Sequence, residues 1–438
     1  MQVRFLTRRP LRRLTFSGHS NRGTKPAAVR GDRRNAAEVN RAILVGLYPL
    51  GDETPPEGVA SYTRSLARGL RNAGVDVEVW AEQTPRLGLQ TEVDGEILVS
   101  RVWRKGFWAG LDLWRHFRKS SPGVLHAQME YFIFGGSSGF ASVVAFLTLA
   151  RMKGRKIVVT FHQVIGLGDL TRETTTGLGL PMPVVAVRWL LRASVMVLYR
   201  VAHRVIVHER VFLRRLIEDY RVQPDRLDVV VHGMAAPAPQ TESLPGGRTL
   251  LLFGYLRWYK GVDIVLRAFQ EVAAEFPDWK LIIAGGPPPR RESGVIGRRL
   301  LRYLENLAAP VATQVEFKGY VADAEIPALF GQAGICLFPY RVLFSFSGPL
   351  ALALGYQRPV VLSEPLRPLL PDWPFWCRNS PAEWAGVMRL MMSDETLRSR
   401  ARELAGVEAG ARAWPIVAVR MIEVYKKTRY ASDHSMRT

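Results

Sequence analysis

Apolar runs and amphipathic helices alternate along nearly the whole chain from residue 42 onward. The run AILVGLYPL at 42–50 is apolar without a break, which is typical of a strand buried on both faces of a sheet. Apolar residues then recur at helical spacing at Val59, Tyr62 and Leu66. The next run, VDVEVWAE at 75–82, is a second strand. A strand, a helix and another strand in this order predict a parallel sheet.

The same alternation runs through both halves of the chain, with a polar break between them. The break, APAPQTESLPGGR at 236–248, predicts a linker. Further strands are predicted before it at 123–128, 156–164, 203–209 and 227–233, and after it in TLLLFGYL, WKLIIAGG, VEFKGYV, ICLFPY and PVVLSE. We therefore expect an α/β protein with two doubly wound, Rossmann-like domains facing each other across a cleft. Ligands would bind beyond the carboxyl ends of the strands.

These patterns divide the chain into four regions. Residues 1–40 are a basic tail that is predicted to be disordered, because they show no sustained apolar period. Residues 41–238 form the N-terminal domain and residues 239–412 the C-terminal domain. Residues 413–438 are predicted to be a helix that returns to the N-terminal domain, followed by a short tail.

The chain is strongly basic, with a net charge of +21. Residues 1–41 hold 11 Lys/Arg and 2 Asp/Glu, and they lack the apolar core of a secretory signal. A solvated tail, adhesion to anionic lipid and binding to nucleic acid are alternative interpretations of this charge. No nucleic-acid-binding module is recognisable, so we expect no nucleic-acid partner. Only two cysteines are present, which argues against a disulfide framework or a metal cluster and fits a reducing cytoplasm.

Two segments raise the question of a membrane. Residues 131–150 carry no charge, but the sequence GGSSG at 135–139 interrupts them, so we expect a buried helix rather than a transmembrane one. Residues 174–208 contain no acidic residue, and on a helix their arginines, Arg188, Arg192, Arg200 and Arg204, occupy about half of the circumference. Such a stretch is either a surface that lies on an anionic bilayer or a core helix with a solvated basic edge.

Two positions could bind the phosphates of a ligand. Gly58 stands just before the first predicted helix, where unpaired amides favour an anion and a glycine lets the ligand approach the backbone. Arg257 and Lys260, in FGYLRWYKGVD, lie between the end of a strand and the start of a helix. Two cations there can neutralise a diphosphate. A flexible loop and a solvated cation pair are the respective structural alternatives.

Several polar residues stand at the ends of predicted strands in the N-terminal domain. His162 ends VVTFHQV and could hydrogen-bond a sugar hydroxyl or transfer a proton, although a structural core histidine explains it equally well. His126 is a weaker candidate of the same kind. Glu209 could bind a polar ligand or cap the next helix. His232 and Gly233 predict a turn.

From about residue 42 to residue 425 the chain resembles the family 4 glycosyltransferases, which have the two-domain GT-B fold. EGVASYTRSLARGLRNAGVDVEVW resembles the family's glycine loop and first helix, although Glu57 stands where a second glycine is usual. VVTFHQV resembles the segment with the active-site histidine, which places that role on His162. LLLFGYLRWYKGVDIVLRAF resembles the donor-phosphate segment. There Lys260 falls on the family lysine, and Arg257 is a shifted counterpart of an arginine usually found near residues 254–255.

The stretch FSFSGPLALALGYQRPVV at 344–361 departs from the family pattern. The family frame is E-G-F-G-L-P-x-L-E-A-M-A-x-G-x-P-V-V, and this chain keeps it at Phe346, Pro349, Ala353, Pro359, Val360 and Val361. The two glutamates, which bind donor-sugar and ribose hydroxyls in the family, fall on Phe344 and Leu352. We expect Phe344 at the cleft edge and Leu352 buried or lining the cleft.

The start of the helix in this stretch is intact. Ser347 is a good N-cap, proline suits the first turn, and the amides around Gly348 could hold a phosphate. We therefore expect diphosphate recognition to be retained and the usual hydroxyl contacts to be lost.

The resemblance implies transfer of a hexosyl unit, with retention, from a nucleotide-diphosphate sugar to a membrane-associated or polysaccharide acceptor. It implies no cofactor other than this co-substrate and no obligatory metal. The expected location is the cytoplasm, with peripheral binding to the inner face of the cell membrane as an extension. Because both glutamates are missing, a non-catalytic GT-B subunit or scaffold of a glycosyltransferase system is the alternative.

Overall fold

The computed structural model of the chain describes residues 40–49, 58–83, 88–177, 182–234, 247–287 and 291–430, of which 291–296 and 429–430 are described as backbone only. The tail predicted at 1–40 and the linker predicted at 236–248 lie almost wholly outside these residues. Both predictions therefore stay predictions.

The N-terminal domain is built on a sheet of eight strands. They are β1 Arg41–Val45, β2 Asp76–Glu82, β3 Gln90–Asp94, β4 Ile97–Trp103, β5 Val124–Met129, β6 Ile157–Phe161, β7 Arg204–Val207 and β8 Leu227–Val229. Their order is β3-β4-β2-β1-β5-β6-β7-β8, and only the pair β3–β4 is antiparallel. The helices are α1 Gly58–Asn72, α2 Trp108–Phe117, α3 Gly136–Met152, α4 Arg172–Gly177, α5 Val184–Val201 and α6 Arg210–Glu218.

The C-terminal domain has a parallel sheet of six strands. They are β9 Thr249–Phe253, β10 Lys280–Ala284, β11 Val315–Gly319, β12 Ile335–Phe338, β13 Val360–Ser363 and β14 Trp376–Cys377, in the order β11-β10-β9-β12-β13-β14. The helices are α7 Val262–Val272, α8 Arg291–Ala308, α9 Ile326–Gln332, α10 Gly348–Gly355, α11 Pro381–Ser393, α12 Glu395–Ala411 and α13 Trp414–Tyr430. The predicted fold, two doubly wound α/β domains, is confirmed.

The central strands are apolar because helices cover both faces of each sheet. Strands β1, β6 and β12 are buried along almost their whole length. The sequence analysis does not predict the hairpin β3–β4, although Gly95 and Glu96 form its turn and Gly95 has a φ of +63°. Cys336 and Cys377 are both buried and unpaired.

The uncharged segment 131–150 is not the fully buried helix that the sequence predicts. It contributes most of α3, whose inner face holds Val143, Phe146 and Leu147, while Leu149 and Met152 are exposed to solvent. Among the described residues, no helix combines the length and the apolar content needed to cross a bilayer.

The C-terminal helix packs on the N-terminal domain. Helix α13 lies against α1, and the hydroxyl of Tyr425 is 2.8 Å from Nδ1 of His126 on β5. Just before α13, Arg412 forms a buried ion pair with Glu209. Glu209 stands at the N-cap position of α6, but its side chain makes no capping hydrogen bond there. The capping role suggested for Glu209 is therefore wrong, because its carboxylate bonds to Arg412, whereas its role in ligand binding stays a prediction.

Candidate functional site

The loop that follows β9 returns Lys260 to the end of its own strand. Gly254 begins the loop with a φ of +110°, and residues 258–260 form one turn of 3-10 helix. Gly261 ends that turn with a φ of +65°, and a side chain there would collide with the carbonyl of Pro339. Two left-handed glycines thus fold the loop back over β9.

Lys260 and the start of α10 meet above Gly254. A Cβ atom on Gly254 would lie 2.6 Å from Nζ of Lys260 and 2.8 Å from Cγ of Pro349. The absence of a side chain at this position therefore lets the ammonium group and the first turn of α10 approach each other. A ligand anion placed there would be reached by both.

This meeting point lies at the topological switch of the C-terminal sheet. Strand β9 is flanked by β10 and β12, so the connections that leave β9 and β12 run to opposite sides. Open parallel sheets bind ligands in the crevice at such a point. Lys260 follows β9 and α10 follows β12, so the two predicted phosphate-binding elements face the same crevice.

The first turn of α10 is capped and open on one side. Oγ of Ser347 accepts a hydrogen bond from the amide of Leu350 at 3.3 Å, and the hydroxyls of Tyr340 and Ser347 are 2.9 Å apart. Outside its own helix and its chain neighbours, no described atom lies within 4 Å of the place where a Cβ of Gly348 would be. Pro349 has no N–H and the amide of Leu350 is bonded to Ser347, so the amide of Gly348 is the one that these first three residues can offer to a ligand.

Lys260 is buried without an acidic partner. Its side chain is only 9% exposed, and in the described part of the chain no carboxylate forms an ion pair with it. Its Nζ lies 5.6 Å from the centre of the Tyr340 ring. Burial, and after it the charge of nearby Arg257, lower the pKa of Lys260 to about 7. A buried cation without an anion is an electrostatic arrangement that an incoming diphosphate would complete.

Across the cleft, His162 belongs to a buried network at the carboxyl ends of β5, β6 and β7. Its Nε2–H donates to Oε1 of Gln128 at 2.9 Å. His208 donates its Nδ1–H to the carbonyl of Val230 at 3.0 Å. Tyr62 of α1 packs against both rings, with centroid distances of 4.8 Å to His162 and 4.9 Å to His208.

One hydroxyl of this network has no partner. Nδ1 of His162 and Nε2 of His208 lie 3.4 Å apart, within hydrogen-bonding distance, and so contact each other rather than an open space. The hydroxyl of buried Tyr62, in contrast, finds no hydrogen-bond partner among the described residues. This hydroxyl is the group of the network that a polar ligand atom could still satisfy.

The histidines of this cluster are neutral at physiological pH. Burial lowers the pKa of His126 and His232 to about 3 and that of His208 to about 4. The pKa of His162 is also well below its usual range, chiefly through burial and then through neighbouring His208. In this environment His162 can orient a hydroxyl by hydrogen bonding. Because its ring is neutral, it lacks the extra proton of an imidazolium and does not act as a general acid.

The two halves of the site are joined through residues 344–346. The carbonyl of Phe344 accepts a hydrogen bond from the amide of Val164 at 3.2 Å, and Ser345 forms an isolated β-bridge with Gln163. The ring of Phe346 stacks on His232 with a centroid distance of 5.0 Å. The segment just after His162 therefore contacts the segment just before the cap of α10.

The sequence predicts Phe344 at the cleft edge, and this prediction is wrong. Its side chain is only 4% exposed and packs edge-on against Tyr259 at 5.2 Å, because the contact with Val164 draws this segment between the domains. Leu352, the other glutamate position, is half-buried in α10. Gln357, which stands at a glycine of the family frame, has a φ of +52°.

The predicted site residues form two groups, one around Lys260 and one at His162 across the cleft, and Gly58 stands apart from both. Lys260, Ser347 and Gly348 come together, with Arg257 close enough to affect the pKa of Lys260. Gly58 is exposed at the start of α1, one helical turn before Tyr62, which contacts His162.

The sequence interpretation missed several members of the site: Tyr62, Gln128, His208, His232, Gly254 and Tyr340. The histidines of the network share a signal in the sequence, because each stands at or near the end of one of four successive apolar runs. The runs are GVLHAQ, VVTFHQV, HRVIVHE and LDVVVHG.

A cavity of about 540 Å³ lies beside this site, between the domains. Its lining includes Thr171 and Arg215 of the N-terminal domain and Trp258, Arg341 and Glu364 of the C-terminal domain. Both arginines are already paired, Arg215 with Asp169 at 2.7 Å and Arg341 with Asp263 at 2.7 Å. The cavity is polar, but its cations are neutralised, which distinguishes it from the crevice at Lys260.

Known proteins resemble both domains. The model of Glycosyltransferase Family 4 matches residues 56–235, and the model of Glycosyl transferases group 1 matches residues 247–372. The chain is 24% identical over 446 residues to the D-inositol 3-phosphate glycosyltransferase of Kineococcus radiotolerans, and the alignment covers 90% of this chain and 97% of that protein.

Solved structures share the whole architecture. The sucrose-phosphate synthase from Thermosynechococcus elongatus superposes with a TM-score of 0.69 at 16% identity, covering 90% of this chain and all of that one. The Anabaena HepE protein in complex with UDP and glucose superposes with a TM-score of 0.64 at 14% identity, covering 88% and 99%. The two family models span most of both domains, and the fold is that of GT-B enzymes: the chain belongs to the family 4 glycosyltransferases.

Proposed function

We propose that the protein transfers a hexosyl unit, with retention, from a nucleotide-diphosphate sugar to a membrane-associated or polysaccharide acceptor. The observation that carries this proposal is the buried, unpaired Lys260 facing the open first turn of α10 across Gly254. A cation and the backbone amide of Gly348 at one point suit a diphosphate. The structural likeness to HepE, which binds UDP and glucose, adds support for a nucleotide-sugar donor.

Each group would act without a change of protonation during transfer. Lys260 and Arg257 would stabilise the negative charge of the departing diphosphate, with help from the amides near Gly348 and the loop before Gly58. His162, just after β6, would orient a donor hydroxyl. The resemblance to the family suggests that no metal ion is obligatory, since cations of the protein take that electrostatic role.

A second candidate is a non-catalytic GT-B subunit or scaffold. Phe344 and Leu352 occupy the positions of the family glutamates, and neither can accept a hydrogen bond from a sugar or ribose hydroxyl. The phosphate contacts would then support nucleotide binding without efficient transfer. The unsatisfied hydroxyl of Tyr62, which packs against His162, favours the catalytic candidate, because it offers a replacement contact to a hydroxyl group.

Sugar discrimination separates the two candidates. We expect bare nucleoside diphosphates and their sugar conjugates to bind within about tenfold of each other, or about 1.4 kcal/mol, since the missing glutamates no longer hold the sugar. Titration calorimetry with UDP, GDP and ADP and their hexose conjugates measures this ratio. Leu352→Glu, at the half-buried position, should raise the preference for the sugar conjugate, and Leu352→Gln is the uncharged control.

A strong preference of the wild-type protein for one sugar nucleotide would favour the catalytic candidate. A wild-type protein that prefers one sugar nucleotide by much more than tenfold, and transfers its sugar, has other residues that recognise the donor. In that case the non-catalytic candidate should be abandoned.

A further inference from the structure

Three neighbouring helices of the N-terminal domain turn apolar side chains towards solvent. Helix α3 packs between α2 and α5 on one face of the sheet. At the start of α2, Phe107 is 66% exposed and Trp108 is 48% exposed, and Leu111 follows one turn later. These side chains have no core to enter, because the same helix buries Leu113 and Phe117 on its other side.

The exposed apolar surface continues over the other two helices. Leu149 and Met152 are exposed on α3. On α5, Val185 is 65% exposed and Trp189 is 70% exposed. We call the face formed by these residues and by Phe107, Trp108, Leu111, Met182, Leu190 and Val197 the outer helical surface. Contiguous apolar side chains of this kind mark an interaction surface.

The three helices of the outer helical surface contribute no exposed negative charge to it. Asp112 is the only acidic residue of α2, α3 and α5, and it is buried and bound by Arg104 at 2.8 and 2.9 Å. Exposed cations border the surface at the ends of α2 and α3 and along α5: Arg115, Arg118, Lys119, Lys153, Arg192 and Arg200. An apolar centre with several exposed cations at its border is complementary to an anionic bilayer.

The same surface reaches the cleft edge of the domain. Helices α2 and α3 follow β4 and β5, and α5 leads into β7, so all three begin at the carboxyl edge of the sheet. Trp108 and Val185 lie in the first turns of their helices, near the edge that carries His162. A bilayer in contact with these turns would lie beside the candidate site.

We propose that the outer helical surface docks the protein onto an anionic lipid bilayer. Trp108 and Trp189 insert at the interface, where tryptophan is favoured, and the bordering cations bind acidic headgroups. A second copy of the chain fits less well, because two basic borders would face each other. The link to a membrane-borne acceptor rests on the proposed function, whereas binding to lipid does not.

Vesicle flotation with the full chain tests this inference. We expect binding to phosphatidylcholine vesicles that contain about 30 mol% phosphatidylglycerol, and little binding to phosphatidylcholine alone. Raising the salt from about 0.1 M to about 1 M should weaken the binding. The double variant Trp108→Ser/Trp189→Ser should lower the partition coefficient at least about tenfold, since two interfacial anchors are lost. Arg118→Glu/Lys119→Glu should reduce it as well.

Matched variants on the other domain serve as controls. Tyr303→Ser/Val407→Ser removes exposed apolar side chains there, and Arg298→Glu/Arg299→Glu reverses two exposed charges. Neither should change vesicle binding. The inference is overturned if the surface variants bind like wild type, which would assign the binding to the basic N-terminal segment. It is also overturned if they convert a dimer into a monomer without affecting lipid binding. Nucleotide binding is measured on the same variants, so failure of the donor site is recorded separately.

Discussion

Lys260→Met is expected to weaken the binding of a nucleoside diphosphate by about 1.5–3 kcal/mol, the usual contribution of a hydrogen bond to a charged group. This corresponds to a rise in Kd of about 10- to 150-fold. The physical reason is that Lys260 is the buried cation at the meeting point of β9 and α10, and methionine keeps its length without its charge. Titration calorimetry near pH 6.5 measures the effect.

The stability of Lys260→Met distinguishes lost binding from misfolding. The pKa of Lys260 falls from 10.5 in the unfolded chain to about 7 in the folded protein. Below pH 7 the group is charged in both states, so the folded protein bears the full cost of burying the charge; that cost disappears as the pH rises towards 10.5. At neutral pH the variant removes the cost. Its free energy of unfolding should therefore be equal to or higher than that of wild type.

Two further variants complete this experiment. Arg257→Met should weaken binding less, since Arg257 is partly exposed and acts from further away. Lys280→Met, which removes an exposed lysine of the same domain, should leave the Kd unchanged. Unaltered titration curves for both Lys260→Met and Arg257→Met would contradict the assignment of the phosphate site.

The sequence predicts the parts of this site that parallel topology alone determines. A residue just after a buried strand must lie at the carboxyl edge of its sheet, so the positions of His162 and Lys260 follow from the apolar runs. The same logic extends to His126, His208 and His232, because the runs that they end form the adjacent strands β5 to β8. Each of these histidines alone is equally well explained by a structural role in the core or in a turn.

The remaining features depend on contacts between distant segments. Gly254 is part of the site because Lys260 and Pro349 both approach it. No local sequence pattern predicts that contact. Phe344 was expected at the cleft edge, but its carbonyl bonds to Val164 of the other domain and its ring is buried. The sequence of α3 predicts a helix. Because the helix is apolar on all sides, the sequence does not predict which of its faces is exposed to solvent.

The affinity for a sugar nucleotide should fall as the pH rises above 7. Because the pKa of Lys260 in the empty site is about 7, the lysine loses its charge above that pH, and the bound diphosphate must restore it. Affinity should therefore drop by up to about tenfold per pH unit, or about fiftyfold between pH 7 and pH 9, as long as the ligand keeps the bound lysine charged. Binding at pH 8 should take up a proton, which calorimetry in two buffers of different ionisation enthalpy detects.

A sugar nucleotide is the right probe because both of its phosphates are esterified, whereas a terminal phosphate titrates near pH 6. The tyrosines near Lys260 do not interfere, because burial raises the pKa of Tyr340 and Tyr259. The histidines of the cluster have lowered pKa values and stay neutral throughout this range. Lys260→Arg, whose guanidinium cannot be deprotonated, should abolish the slope. A wild-type affinity that is flat from pH 7 to pH 9 would mean that Lys260 is charged in the empty site, and therefore that a carboxylate or an anion already accompanies it there.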